Sequence, residues 1–537
     1  MNSKRYLLLL LLLCAGVGSL APTPPRSKAR LLELVVAPKI DLQFNFGYDA
    51  RTTLSDLTNE ANLSDQISSR RRDVRQSPND TRLLIQLGWL LDKNSETNEA
   101  RRFFQQAATM AEGRVTARPN DGLALVNWGD ACDELDKKEL AEKEYRMATQ
   151  VSSNDWRCWA ALGQFLDRQT RLILYPTNFA GLLASSSPEI ARPTPDKMER
   201  AIKSKTEAAL CFDRAVSSSP QEADVYLLRA WHKCGDEAHD YLLRYYRNEL
   251  KLDRKALGTL IGMGIAKSAI PDLQKAATLQ PQVCQLVGLA AWFELVAIAM
   301  TPLTGGTETP TQFSDFPESS QRIIKNAIAQ LTELSQGNDT KRTALALEYL
   351  GILRAMTQEN EELAVADLRR AVALNPDREQ AWDMLLASIL ESASPEEFAA
   401  VCEDRLKHKK SARNHLIFAK ALFRRGSFEK ATGEAKSAIK LETNNVPAQL
   451  MLCAALVRQD KGEAGEEELA SAFAKAAELV KSTNAPERGD WWLVYGLNVA
   501  IAAAINDNVK NANAWLDTCQ KEFPDDERIK EIRNALP

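Results

Sequence analysis

Apolar residues recur along this chain at spacings of four and then three. The pattern is alanine, then an apolar residue four positions on, then a small residue three positions further. It reads Ala100–Phe104–Ala107, Ala141–Tyr145–Ala148, Ala208–Phe212–Ala215, Ala364–Leu368–Ala371, Ala431–Ala435–Ala438, Ala470–Ala474–Ala477 and Ala512–Leu516–Cys519. These spacings put the three side chains on one stripe of an α-helix. The small residues let a neighbouring helix approach, and the larger middle residue fills the space between them. Repetition of one pattern predicts an array of like units rather than a single globular core.

Upstream of most copies, a large residue precedes a glycine: Leu87–Gly88, Trp128–Gly129, Leu162–Gly163, Leu350–Gly351 and Tyr495–Gly496. The spacing from this glycine to the stripe predicts a helix A, a short turn and a helix B. A glycine inside a helix costs about 1 kcal/mol relative to alanine, so it needs a packing reason. The reason expected is that helix B crosses helix A there, where a Cβ would hold the two apart. Trp159 and Trp382 lie near the starts of further helices A. Pro220, Pro281, Pro376 and Pro524 follow helices B and end them.

This arrangement resembles the tetratricopeptide repeat, a helix–turn–helix unit of about 34 residues. Gly122 to Asp155 carries Trp128–Gly129, Ala141, Tyr145 and Ala148 in the places that the family uses. Ala412 to Asn445 is another copy, with Ala419 where glycine is usual. The unit around Trp159, Leu162 and Gly163 finds its helix B only at Ala208. The resemblance covers residue 79 to the end as roughly eight to ten units. It implies an all-α fold, a right-handed α-solenoid of antiparallel helix pairs. It is weakest over 235–340, where the stripe survives as Ala269–Leu273–Ala276 and requires a helix that starts close to Pro271.

The organisation expected is a signal peptide at 1–21 and an N-terminal linker with a capping helix at 22–78. A first array follows at 79–300, interrupted by an insertion at 171–200. A flexible loop at 301–320 leads into a second array at 321–537, closed by a C-terminal capping helix. The stretch before residue 78 contains the apolar run Leu31–Val36 and a helical pattern from Thr53 to Gln76. It would either cap the first unit or tether the array. The apolar stretches Val283–Met300 and Trp491–Ile505 are expected as buried helices: Gln285 and Glu294 interrupt the first, and no basic residue flanks it.

Lys4 and Arg5 followed by Leu7–Leu13 and closed by Pro22 have the form of a cleaved signal peptide, with Val17-Gly18-Ser19 offering small residues for cleavage. An uncleaved anchor and, through Cys14, a lipid anchor are the alternatives, although Leu13 stands where the lipid motif wants a small residue. The localisation expected is therefore export to a periplasm, cell envelope or the outside, or attachment to a membrane. The later cysteines are scattered, and several replace small stripe residues, so they are expected as small buried hydrophobes rather than a disulfide framework.

Composition narrows the function. Of 537 residues 26% are charged, and 68 Lys+Arg against 72 Asp+Glu give a formal net charge of -4. No basic excess points to nucleic acid, and Arg70–Arg72 is expected as a solvated helix face. His232, Cys234, Glu237 and His239 share a short segment, but their spacing fits no standard zinc site. No phosphate loop, dinucleotide fingerprint, nucleophile elbow or metalloprotease motif occurs, so no enzyme, metal or cofactor is expected.

Binding remains. The resemblance implies that helices A line a concave face, which would offer Asn127, Asp130, Arg157 and Gln164 in the first half. In the second half it would offer Glu348, Tyr349, Asp383, Met384, Arg413, Lys420 and Arg424. Such a face suits an extended peptide or a partner helix. The function expected is an exported, non-enzymatic protein–protein interaction scaffold or adaptor. The alternatives are a tethered cell-envelope assembly factor and an enzyme with an unrecognised site. The carboxylate clamp of one tetratricopeptide subfamily would fall on Ile85, Trp89, Asn127, Arg157 and Ala161, of which only Asn127 and Arg157 match it in polarity, so chaperone-tail binding is not implied.

Overall fold

The computed structural model describes residues 31, 33–36, 63–175, 192–250, 267–299, 313–357, 360–389, 392–459, 463–483, 488–524 and 526–536. The expected signal peptide with Cys14, and the stretches 176–191 and 301–312, lie outside them. Within the described residues α1 (Leu63–Gln76) precedes a series of helix pairs. The first pairs are α2 (Thr81–Lys93) with α3 (Thr97–Ala117), α4 (Gly122–Glu134) with α5 (Lys138–Val151), and α6 (Trp156–Leu174) with α7 (Pro195–Ser218). In the middle stand α8 (Ala223–Tyr246) with α9 (Ile270–Leu279), α10 (Cys284–Ala299) with α11 (Glu318–Leu334), and α12 (Thr340–Thr357) with α13 (Glu361–Leu374). The last are α14 (Glu379–Ile389) with α15 (Pro395–His408), α16 (Ala412–Arg424) with α17 (Phe428–Leu441), α18 (Val446–Gln459) with α19 (Glu463–Ser482), and α20 (Arg488–Ile505) with α21 (Val509–Glu522). α22 (Glu527–Ala535) closes the series. Each helix packs on the next, and helices A also touch the following helix A, as α2 with α4 and α16 with α18 do. The chain is thus an all-α solenoid of tetratricopeptide-like helix pairs.

The local chemistry repeats with the units. Asp80, Asp121, Asp155 and Ser411 cap α2, α4, α6 and α16 by accepting from N–H groups of the first turn, each cap contributing about 1 kcal/mol. Four of the A-to-B turns have the same form, three residues whose middle one has positive φ: Ser95, Asp136, Gly426 and Asp507. Only one of the four is glycine, so three turns accept the left-handed cost that an L side chain carries. In the fourth position of three helices A, an aromatic donor reaches back to the turn between units. Trp159 Nε1 bonds the Ser153 carbonyl, Tyr226 Oη that of Pro220, and Trp382 Nε1 that of Pro376.

The glycine and the stripe meet as expected. A Cβ on Gly88 would stand 2.5 Å from the Phe104 ring, one on Gly129 2.8 Å from Tyr145, one on Gly163 2.9 Å from Phe212 and one on Gly351 2.5 Å from Leu368. Gly496 instead receives the Cys519 sulfur, and Gly288 receives Tyr349 from the next helix A rather than a residue of its own helix B. The triplets headed by Ala100, Ala141, Ala208, Ala364, Ala431 and Ala512 are buried throughout, as is Ala269–Leu273–Ala276. One copy is corrected. Ala470 and Ala474 are exposed, and α19 buries Ala472, Ala476 and Leu479 instead. Both registers have spacings of four and three, and the one that also buries Leu479 and Val480 removes more apolar surface from water.

The irregular regions are more helical than the sequence pattern predicts. Of the 171–200 insertion, 171–174 belong to α6 and 195–200 to α7. α9 starts one residue before Pro271, as its stripe requires. The expected flexible loop is structured from residue 313: Phe313 and Phe316 are buried and stack edge-to-face, and α11 begins at Glu318. α10 is buried on all sides, with Glu294 accepting from Ser320, and no helix among the described residues is long and apolar enough to cross a membrane.

Candidate functional site

The residues expected on the concave face fall into three groups. Asp130, Glu348 and Asp383 are buried and tie one unit to its neighbour. Asp130 accepts from Arg82 Nη1 of the preceding helix A at 2.6 Å and from Tyr145 Oη at 2.7 Å. Glu348 takes both Nε and Nη2 of Arg378 at 2.7 and 2.8 Å. Asp383 accepts from Arg405 of its own helix B at 2.6 Å and from Arg413 of the next helix A at 2.7 Å. Asp133, which the sequence reading passes over, does the same work with Arg168 and Lys138. Burial opposes its charge, but these two cations hold its carboxyl below the usual range. Asp130, Glu348, Asp383 and Arg413 therefore have structural partners already.

The second group is packed or folded back. Tyr349 lies on Gly288, and Met384 is buried. Arg157 is exposed but turned onto its own cap, with Nη2 2.7 Å from Asp155. The third group lies on the faces of helices A: Asn127 on α4, Gln164 on α6 and Lys420 on α16, all half-buried, and Arg424 at the exposed end of α16.

Arg424 borders a site that the sequence reading does not assemble. Residues 31 and 33–36 lie against the last units. Leu31 and Val35 are buried, Leu31 and Glu33 are helical and the Leu34 N–H bonds the Leu31 carbonyl, and Val35 and Val36 follow without helical structure. Asn498, in the middle of α20 and fully buried, holds the Val36 main chain at both polar atoms. The Val36 N–H donates to Oδ1 at 2.9 Å, and Nδ2 donates to the Val36 carbonyl at 2.7 Å, across 462 residues of sequence. A cavity of about 610 Å³ lies alongside, lined by Glu33 to Val36, Phe423 to Gly426, Arg458, Arg528, Glu531 and Ile532. Arg458 lies over the rings of Phe428 and Phe423. Burial lowers its guanidinium, and the nearby Glu33 charge opposes that shift. The apolar run Leu31–Val36 thus meets the end of the array and not its first unit, where α1 buries Ile67 beside Leu84 and Phe104. Asn498 had a signal in the sequence: it is the one amide inside the apolar run of α20, and a buried amide must find partners.

Elsewhere the polar chemistry is absorbed into packing. His232 Nδ1 is 2.9 Å from Asp167 and its ring stacks on Phe212. His239 is buried edge-on to Tyr175, and burial pushes its pKa down to about 3. Cys132, Cys158, Cys211, Cys234, Cys284, Cys402, Cys453 and Cys519 are free and buried. Burial lifts Cys132 to about 11 and Cys158, Cys211, Cys402 and Cys519 to about 12, which leaves these thiols protonated and unreactive. Among the described residues no group of three or more His, Cys, Asp or Glu side chains is gathered in a way that could hold a metal ion.

No protein-family model matches the sequence, and no curated protein does. Solved structures similar to the chain are helical-repeat proteins. Yeast Tom70 covers 88% of this chain and 91% of its own at 14% identity, with a TM-score of 0.34. YrrB, a TPR protein, covers 38% of this chain and 97% of its own at 18% identity, with a TM-score of 0.29. The C-terminal part of a TPR repeat-containing protein from Cytophaga hutchinsonii covers 49% and 93% at 15% identity, with a TM-score of 0.35.

Proposed function

We propose that this chain is an exported, non-enzymatic protein–protein interaction scaffold whose last units bind a short peptide segment of a partner. The observation that carries the reading is the main-chain clamp of Asn498 on Val36. A solenoid groove that grips the backbone of a segment from outside its own helix pairs has the equipment of a peptide-binding surface. Export rests on the n-region and leucine run at the N-terminus, and mass spectrometry of the mature N-terminus tests it. A free residue near Leu20 is expected, whereas an intact leader or an acylated Cys14 supports the tethered reading.

Affinity capture tests the scaffold. The full chain should retain partners that an Arg424→Glu, Lys420→Glu variant loses. Arg413 is left in place because it pairs with Asp383. If every captured partner survives both substitutions, the groove of the last units is not the binding surface.

A further inference from the structure

We propose that residues 31 and 33–36 mark a built-in ligand of the C-terminal groove, held in cis and displaced by a partner segment of the same chemistry. The inference rests on the peptide-binding reading of that groove and adds the occupant and its class. The class is a short apolar segment carrying one acidic side chain, read through the main chain at a single residue.

Three observations carry it. First, among the described residues the segment belongs to none of the helix pairs it touches: α18 to α21 pair among themselves, and α1 begins only at Leu63. Second, the contact is that of a ligand. Leu31 and Val35 supply buried apolar surface at 2% and 7% exposure, and Asn498 satisfies both polar atoms of Val36 whatever its side chain. Third, the charges are complementary. Glu33 faces a wall on which Arg424, Arg425, Arg458 and Arg528 outnumber the one acid, Glu531; Arg528 is already held by Asp526, and the Glu33 charge acts on the Arg458 guanidinium. A tethered ligand sees a local concentration on the order of millimolar, so an incoming segment meets a groove that is free only for a fraction of the time and binds more weakly by that fraction.

The test uses the full chain and a fluorescent peptide with the sequence of residues 29–38. Leu31→Asp with Val35→Asp in the chain should release the resident segment and raise affinity for the probe on the order of 10-fold or more over wild type. Asn498→Ala added to the released chain should abolish probe binding, with amide exchange of α16 to α19 unchanged as evidence that the units around the groove are still folded. A probe with Glu33→Lys should bind the released chain more weakly, which reads the site without altering the groove.

Equal affinity for wild type and released chain overturns occupation in cis. No binding to either overturns the ligand assignment; if capture still depends on Arg424, the scaffold reading stands without it. A wild-type dimer that dissociates on Leu31→Asp, Val35→Asp would mean that the segment crosses to a second copy, which also overturns the proposal.

Discussion

The first units and the last units close their helix pairs by opposite means. At the N-terminal end a ring from helix B lies on a glycine of helix A: Phe104 on Gly88, Tyr145 on Gly129, Phe212 on Gly163. Towards the C-terminal end the same crossing is made from small parts. Ala419 stands in the glycine position of α16 with Ala435 in the ring position of α17, both fully buried, and Cys519 meets Gly496. Volume at the crossing is kept roughly constant by trading a large residue against nothing for two small ones, as close packing demands. One fold therefore tolerates two chemistries, but their sensitivity to substitution differs.

The largest effect expected is at the ring crossings. Phe212→Ala should cost about 3–5 kcal/mol, because it removes a buried ring and leaves a cavity, whereas Ala435→Gly should cost about 1 kcal/mol. Amide exchange read helix by helix measures each locally, as an array need not unfold in one step. Equal losses would dissolve the contrast. Next comes Asp383→Ala, which strands the buried Arg405 and should cost about 3 kcal/mol; a thermal shift no larger than that of a surface alanine substitution would contradict the tie between units described above.

A pH titration sharpens the comparison from another side. Burial depresses His239 on α8 from 6.5 to about 3, so the unfolded chain takes up a proton there before the folded one does. Its contribution is complete above about pH 6.5 and is lost as the pH falls from there towards 3. Protection of α8 should fade over that window, and His239→Leu should remove the part of the dependence that this ring carries, leaving that of Asp167, His232 and Glu237. The smallest effects belong to the turns and the exposed charges. Ser95→Gly and Asp136→Gly should each stabilise by up to about 1 kcal/mol by relieving a left-handed residue. Arg157→Ala should change stability by less than about 1 kcal/mol. Urea midpoints rank the three.

Most of the architecture was legible because packing leaves a period in the sequence. Gly88 with Phe104 and Gly129 with Tyr145 could be paired from spacing alone, and even the start of α9 followed from Pro271. Spacing failed where two registers were equally regular, as in α19, and where helices outlast the repeat, as at 171–174 and 195–200. The groove was hardly legible. A sequence pattern does not tell a buried ion pair from a solvated charge, so nothing in it separates Asp130, Glu348 and Asp383, which pair with arginines of neighbouring units, from the exposed Arg424. Asn498 and Val36 could not have been joined by any local pattern, since 462 residues of sequence separate them.

That contact has a mechanical consequence. Two hydrogen bonds and two apolar side chains turn an open spring into a loop whose beginning is fastened to its last coil. Tension drawn through the N-terminus bypasses the first units and reaches α20 directly. If the chain hangs from its leader, the coil under load is the one that holds the groove, and pulling on the tether is also a way to open it.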